Sequence, residues 1–251
     1  MTLSAIVPVL NEETFVPIYL KSVAALADEI IVVDGGSTDR TLEQIEKFQK
    51  HYPIRVFSRP QEGQPYADWN QPEVRNFLLD QAKGDWVLIA DIDEIFDDRI
   101  REVLPEMLQR TDVHAYQFPF YNFWKDPNTL RVNAEGDARW STEIIRLIRN
   151  GIGIRYEDKK RHGFLQVDGV RSSFWKLPRV KVDIPLYHYH YALGPRIKYN
   201  DNRRADVNRY NNVGEPDWDY KNPHYDIVTA PFTGEHPSVI REYLSTGRIE
   251  P

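Results

Sequence analysis

Cysteine is absent from the 251 residues. That excludes a disulfide framework and any thiolate-held metal, and makes the cytosol the compartment expected by default. No eighteen apolar residues run together, so no membrane-spanning helix is expected. Leu3-Ser4-Ala5-Ile6-Val7 is not preceded by a basic stretch or followed by a long apolar one, so no signal peptide is expected either. An excess of basic residues is also missing: the formal charge of -6 argues against a general nucleic-acid binder. An anionic small ligand stays open if a metal and a few arginines hold it. Internal repeats and low-complexity tracts are lacking too. What remains, 41% hydrophobic and 28% charged, suffices for one substantial core, an α/β domain with an appendage rather than two domains.

The chain is organised around Gly84-Asp85-Trp86-Val87-Leu88-Ile89-Ala90-Asp91-Ile92-Asp93-Glu94. An unbroken apolar run from Trp86 to Ala90, closed by three carboxylates within four residues, reads as a buried strand delivering acids at its C-terminal end. In an open α/β sheet that end is where ligands bind. Along an extended segment Asp91 and Asp93 share one side, so a cation or a shared proton between them is expected. A solvated acidic turn ahead of a helix near Asp97 is the plainer alternative.

Strand and helix alternate up to that point. Residues 3–10 read as a strand that should end or bulge at Pro8, residues 14–27 as a helix, and 29–34 as a strand ending in Asp34. Gly35-Gly36-Ser37-Thr38-Asp39-Arg40-Thr41 is a turn into a helix marked by Leu42, Ile45 and Phe48; it caps that helix or holds an anion on its N–H groups. It has neither the spacing of a phosphate-binding lysine loop nor that of a dinucleotide fingerprint. Ile54–Phe57 is the third strand, and Asn70 to Glu73 resembles a capping box opening a helix through Val74, Phe77, Leu78 and Ala82. This order predicts a mostly parallel, doubly wound sheet. Arg75, near that helix start, is either solvated or placed to hold a diphosphate.

Ile6-Val7-Pro8-Val9-Leu10-Asn11-Glu12-Glu13, Val32-Val33-Asp34 through Thr41, Val74-Arg75-Asn76-Phe77 and Gly84 through Glu94 occur in an order that resembles the GT-A-fold nucleotide-sugar glycosyltransferases of family 2. The Glu following the second Asp looks like the branch with lipopolysaccharide-core and related cell-surface sugar transferases. The resemblance implies that Pro8, Asn11, Glu12 and Asp34 line a base-and-ribose pocket and that Arg75 approaches the diphosphate. It implies that Asp91 faces the ribose and Asp93 binds Mn2+ or Mg2+. The implied reaction is metal-dependent, inverting transfer from a nucleoside diphosphate sugar, with a UDP-sugar as the expected donor, to a glycan or glycolipid hydroxyl. Chemically, a dication stabilises the charge that builds on a departing diphosphate, and one base must take the acceptor proton.

Beyond Glu94, residues 98–110 read as a helix and His114 to Trp124 as an aromatic-rich strand. Trp140 to Asn150 resembles the family's acceptor-side segment, and Glu143 in it is the candidate base, with Asp137, Glu157 and Asp158 as competitors. Arg161-His162-Gly163 departs from the family, where a glutamate commonly follows the histidine; His162 is read as structural. In Leu186-Tyr187-His188-Tyr189-His190-Tyr191, period two puts both histidines on one face and the tyrosines on the other. His188 matches the family's histidine and is the candidate third metal group; His190 takes a glycine's place. Imidazole suits manganese better than magnesium.

The expected organisation is one GT-A domain over residues 1–194, divided into a nucleotide-sugar half, 1–97, and an aromatic-rich acceptor half, 98–194. A C-terminal helical extension, 195–251, follows; its basic segment with Arg196, Lys198, Arg203 and Arg204 is a solvated face or a lid, and a last helix is expected near Ser238–Leu244. Peripheral contact with the inner face of a membrane fits such an enzyme. A sugar-phosphate nucleotidyltransferase is the rival enzyme, although Pro8 to Glu13 has no glycine-rich basic loop; a non-catalytic nucleotide-sugar-binding module is the third reading.

Overall fold

Runs rich in valine and isoleucine open the chain, and each becomes a strand lying parallel to its neighbour. The computed structural model describes residues 1–61, 70–133, 135, 141–157, 164–193 and 228–251. In it β1 (Leu3–Val9), α1 (Phe15–Ala24), β2 (Glu29–Asp34), α2 (Thr41–Gln49), β3 (Ile54–Ser58), α3 (Gln71–Gln81) and β4 (Trp86–Leu88) follow in turn. The strands lie in the order β3-β2-β1-β4, all parallel. Period two divides β1: Leu3, Ala5, Val7 and Val9 join one core with Phe15, Tyr19, Ile45 and Phe48. Ile6 joins a second core with Val74 and Leu78 of α3 on the other face. The sheet is therefore covered on both sides, as the alternation predicts. At α3 the N-cap half of the box is seen, Asn70 Oδ1 accepting from the Glu73 N–H at 3.3 Å, while the Glu73 carboxylate accepts from the Asn70 side-chain amide at 3.5 Å.

Pro8 does not end the first strand. β1 continues to Val9 with Pro8 opposite Val33. The Leu3 and Val9 carbonyls accept from Asp28 and Gly35 on the β2 side, so Pro8 faces the opposite edge. There β4 pairs with β1 only as far as Ala5, and the missing N–H costs no ladder bond.

The second half is mixed. β5 (Glu94–Phe96), α4 (Ile100–Gln109), β6 (Ala115–Trp124), β7 (Asp126–Arg131), β8 (Glu143–Arg149), β9 (Ile154–Tyr156), β10 (Leu165–Val167), α5 (Arg171–Trp175), β11 (Arg179–Lys181) and β12 (Leu186–Tyr191) lead to β13 (Thr229–Pro231) and α6 (Ser238–Thr246). β8 enters antiparallel between β4 and β6. β6 then carries β7 antiparallel and β11 and β12 parallel, while β12 also pairs antiparallel with β5. β5 and β12 thereby set the ends of the acidic and histidine stretches side by side.

Residues 228–251 are built into this body. β13 pairs with β7, and Val239, Ile240 and Ile249 are buried in the same core as α1. Lys21 of α1 donates to Glu242 at 3.1 Å and to the Glu250 carbonyl at 3.0 Å. The expected final helix is α6; the expected basic helical segment and lid lie within residues 194–227, outside the described residues. Among the described residues no helix is long and apolar enough to cross a membrane.

Candidate active site

The apolar run before Asp91 is buried to Ala90, but the strand stops at Leu88. Ile89 still donates to the Arg146 carbonyl at 2.8 Å, after which the chain turns, the Glu94 N–H donating to the Asp91 carbonyl at 3.0 Å. Asp91 and Asp93 are thus not presented side by side from one extended strand, as the period-two expectation had it. The turn gives each carboxylate its own partners.

Asp91 is gripped by arginines. Arg75 Nη2 donates to its Oδ1, and Arg146 Nη2 to its Oδ2 at 3.2 Å. Arg146 also donates from Nε and Nη2 to the two oxygens of Glu94, each at 2.6 Å, and Glu94 Oε2 accepts the Asp91 N–H at 2.9 Å. Two acids and two guanidiniums therefore balance in one buried cluster. Burial pushes the Asp91 carboxyl up, but Arg75 and Arg146 outweigh it and hold it below the usual range. Burial also pushes Glu94 up; there Arg146 acts against it and the Asp91 charge adds to it, and the net shift is upward. Asp91 keeps 34% of its side chain exposed against 15% for Arg75, so the carboxylate is the more open of the pair.

Asp93 is matched to imidazoles. His190 Nδ1 lies 2.7 Å from Asp93 Oδ2, and His188 Nε2 lies 3.7 Å from Oδ1, beyond hydrogen-bond range. His188 is locked from behind. Asn122 Nδ2 donates to the Ser141 carbonyl at 3.2 Å, so its Oδ1 faces His188 Nδ1, 2.9 Å away, and accepts that nitrogen's proton. In the tautomer with its proton on Nδ1, His188 carries a lone pair on Nε2, 3.7 Å from a carboxylate oxygen. Two acceptors facing each other call for a cation or a proton between them. One atom each from Asp93, His188 and His190 lies within 4.8 Å of the others, an oxygen-and-imidazole donor set that suits Mn2+. The expected facing of the two histidines is observed; Tyr187 and Tyr189 on the other side are buried.

The remaining predicted residues gather where β1 and β2 end, the ligand edge of such a sheet. Asp34, 2% exposed, accepts from the N–H groups of Gly36 at 2.9 Å and Ser37 at 3.2 Å. Asn11 takes a left-handed φ of 55°; its N–H donates to Ser37 Oγ at 2.9 Å and its Oδ1 accepts from Thr38 at 2.8 Å. The Glu12 N–H donates to buried Thr41 Oγ1 at 2.6 Å. The loops following Pro8 and Asp34 are thereby laced into one wall.

Glu143 does not join these groups. It lies exposed at the start of β8, bonded to Gln117 at 2.6 Å and Lys181 at 2.8 Å. Of its competitors, Glu157 donates its N–H to the Phe164 carbonyl, while Asp137 and Asp158, like His162, lie outside the described residues. The sequence does not single out Arg146 or Asn122, and it offers His188 rather than His190 as the metal group, whereas both histidines face Asp93. The available signal for Arg146 is its place amid Ile144, Ile145, Leu147 and Ile148, an arginine enclosed by apolar neighbours in β8. A cavity of about 650 Å3 lined by Asp97, Tyr121, Tyr187, Phe232, His236 and Arg241 contains none of the acid–histidine residues.

The family model described as glycosyl transferase family 2 matches residues 4–164. The chain is 36% identical over 158 residues to the lipopolysaccharide core biosynthesis glycosyltransferase LpsC of Rhizobium meliloti, a match covering 62% of this chain and 54% of LpsC. It is 32% identical over 120 residues to the poly(ribitol-phosphate) beta-N-acetylglucosaminyltransferase TarS of Staphylococcus aureus, covering 45% of this chain and 19% of TarS. The chain thus spans about half, or less, of the length of these curated relatives. The crystal structure of S. aureus TarS matches with a TM-score of 0.53 at 19% identity, over 84% of this chain and 40% of that one. Its 1–349 fragment in complex with UDP gives 0.50 at 18% identity, over 80% and 63%. These matches show the GT-A fold.

Proposed function

The chain belongs to glycosyl transferase family 2, and from that premise we propose that it transfers a sugar from a UDP-sugar to a hydroxyl of a glycan or glycolipid. The donor follows TarS, a relative by sequence whose structure was solved with UDP. In this reading Pro8, Asn11, Glu12 and Asp34 form the wall for base and ribose. Asp91 lies on the ribose side, and the Arg75 fork, which it orients, meets the diphosphate.

The observation that carries the proposal is the convergence of Asp93, His188 and His190, with the lone pair of His188 turned toward the acid. These three would hold a divalent cation, Mn2+ in preference to Mg2+ on the strength of the imidazoles. When bound, such a cation supplies charge to offset that of a departing diphosphate. Asn122 keeps His188 in the tautomer that leaves Nε2 unprotonated, and Arg146 keeps Asp91 and Glu94 ionically matched beside it. Direct inverting displacement needs no covalent nucleophile, only a base for the acceptor proton. Glu143 is retained as that base on the condition that the acceptor displaces Lys181 from it.

Thermal shift with UDP, with and without Mn2+, tests the site, because binding to the folded state raises its apparent stability. UDP and Mn2+ together should raise the melting temperature more than either alone, and Asp93→Ala should abolish the difference. UDP release from a UDP-sugar in the presence of an acceptor tests the reaction; pyrophosphate release from a nucleoside triphosphate and a sugar phosphate would overturn it.

A further inference from the structure

We infer that the exposed surface formed by residues 164–181 is a docking face for an anionic lipid membrane. Phe164, Val170 and Trp175 are 45, 48 and 56% exposed. Arg171, four residues ahead of Trp175 on α5, lies over the Phe164 ring, so that ring and the tryptophan open to water on neighbouring parts of one surface. The patch is not a frayed end. Phe174 of α5 is buried in the core with Leu78 and Ile148, and its ring meets that of Trp175 edge-on at 5.4 Å, so the tryptophan is held outward by a neighbour anchored inward.

The charge around these rings decides the partner. Residues 164–181 contain Arg171, Lys176, Arg179 and Lys181 against a single acid, Asp168, in a chain whose net charge is -6; Lys181 is matched by Glu143 at 2.8 Å, so Arg171, Lys176 and Arg179 carry the charge of this face. Arg171 lies over the Phe164 ring at 3.3 Å and Arg179 near the Trp175 ring at 5.7 Å. Aromatic rings flanked by long basic side chains, whose stems cover apolar surface while their heads reach outward, suit the headgroup region of a bilayer. A second copy of this chain fits worse, because a two-fold contact would set the same basic cluster against itself. Three apolar groups alone give weak, reversible anchoring, and the basic rim supplies the second signal that membrane residence requires.

The patch is one hairpin away from the candidate active site. β10 pairs with β9, and the backbone of Tyr156 in β9 exchanges hydrogen bonds of 2.7 and 3.0 Å with the Asn76 side chain, next to Arg75. Arg75 lies 5.5 Å from the Tyr156 ring. A membrane under residues 164–181 would therefore lie close to the site, which suits an acceptor hydroxyl borne on a lipid. That last step rests on the transfer activity proposed above; the docking itself does not.

Cosedimentation of the full chain with phosphatidylcholine vesicles, with and without phosphatidylglycerol, tests the docking without any turnover. Binding should require the anionic lipid and weaken as salt is raised. Trp175→Ser should reduce partitioning by about tenfold or more, the cost of losing a large buried apolar group. Arg171→Glu and Lys176→Glu should each reduce it by about fivefold or more, in line with the attraction of one basic residue to such a surface. UDP binding in solution should be unchanged in all three, so loss of docking and failure of the glycosyltransferase reading are told apart. Equal binding to neutral vesicles, or binding indifferent to all three substitutions, would overturn the inference. So would concentration-dependent dimerisation that Trp175→Ser abolishes.

Discussion

Arg146 holds Glu94 by two bonds of 2.6 Å, Nε to Oε2 and Nη2 to Oε1, across 52 residues of chain and with Glu94 2% exposed. The same guanidinium reaches Asp91, so removing it strands one fully buried carboxylate and releases half the grip on another. Breaking such a pair from one side costs about 3–5 kcal/mol. Arg146→Met should lose about that much in urea denaturation. Arg146→Lys should lose less, since it keeps the charge without the planar fork. An unchanged midpoint for Arg146→Met would show that the pair does not hold this part of the fold.

The bond from His188 to Asn122 gives a second prediction, about affinity rather than stability. Asn122→Ala frees the His188 ring and its tautomer, and outer partners of this kind are worth about 10–100-fold in metal affinity. Mn2+ titration followed by electron paramagnetic resonance should show that loss. Asn122→Asp, which keeps an acceptor at the same place, should bind more tightly than Asn122→Ala. Equal affinity in both variants and the wild type would remove Asn122 from the site.

What the sequence made legible was whatever repeats locally. Asp34 and Asp91 could be read as strand-terminal acids because apolar runs precede them, and His188 and His190 could be paired because a strand has period two. The partners of those residues were not legible, since each comes from a distant strand through register. Asn122 meets His188 because β12 pairs with β6 at that position. Arg146 meets Glu94 because β8 enters beside β4. The turn at Ile92 and Asp93, which separates the two acids, follows from partners that local spacing does not contain. β13 likewise joins β7 across almost 100 residues, Thr229 opposite Arg131, which made residues 228–251 look like an appendage.

Gly84, just ahead of β4, has a steric reason for having no side chain. A Cβ there would lie 2.6 Å from the Ser4 nitrogen and 2.9 Å from the Leu3 carbonyl carbon, backbone atoms of β1 that have no way to step aside. Gly84→Ala should therefore push β4 from β1 and cost about 1–3 kcal/mol, the usual penalty of overpacking. Gly151→Ala is the contrast: φ is +74° but nothing lies within 4 Å, so only backbone strain, about 1–2 kcal/mol, applies. A Gly84→Ala midpoint no lower than that of the wild type would show that β4 has room beside β1 for a side chain.

His236 should make the docking of residues 228–251 sensitive to acid. Its ring is packed among Phe123 and Phe232, at 5.2 and 4.9 Å between centroids, and its Nδ1 lies 2.8 Å from the Tyr189 hydroxyl. Burial lowers its pKa from the ordinary histidine value; a hydrogen bond to the Pro127 carbonyl works against that and the Arg241 charge works with it. Burial holds the Tyr189 hydroxyl protonated, so in the neutral state it can donate to Nδ1, and protonating His236 turns that nitrogen into a competing donor. The folded state thus binds the proton less readily than the unfolded chain does. The contribution is complete above the unfolded value of about 6.5 and is lost as pH falls from there through the lower folded value. Stability measured by denaturant across that window should decline on acidification more steeply for the wild type than for His236→Gln. Parallel pH profiles for the two proteins would mean that His236 titrates alike in both states and that the C-terminal segment is held by apolar contact alone.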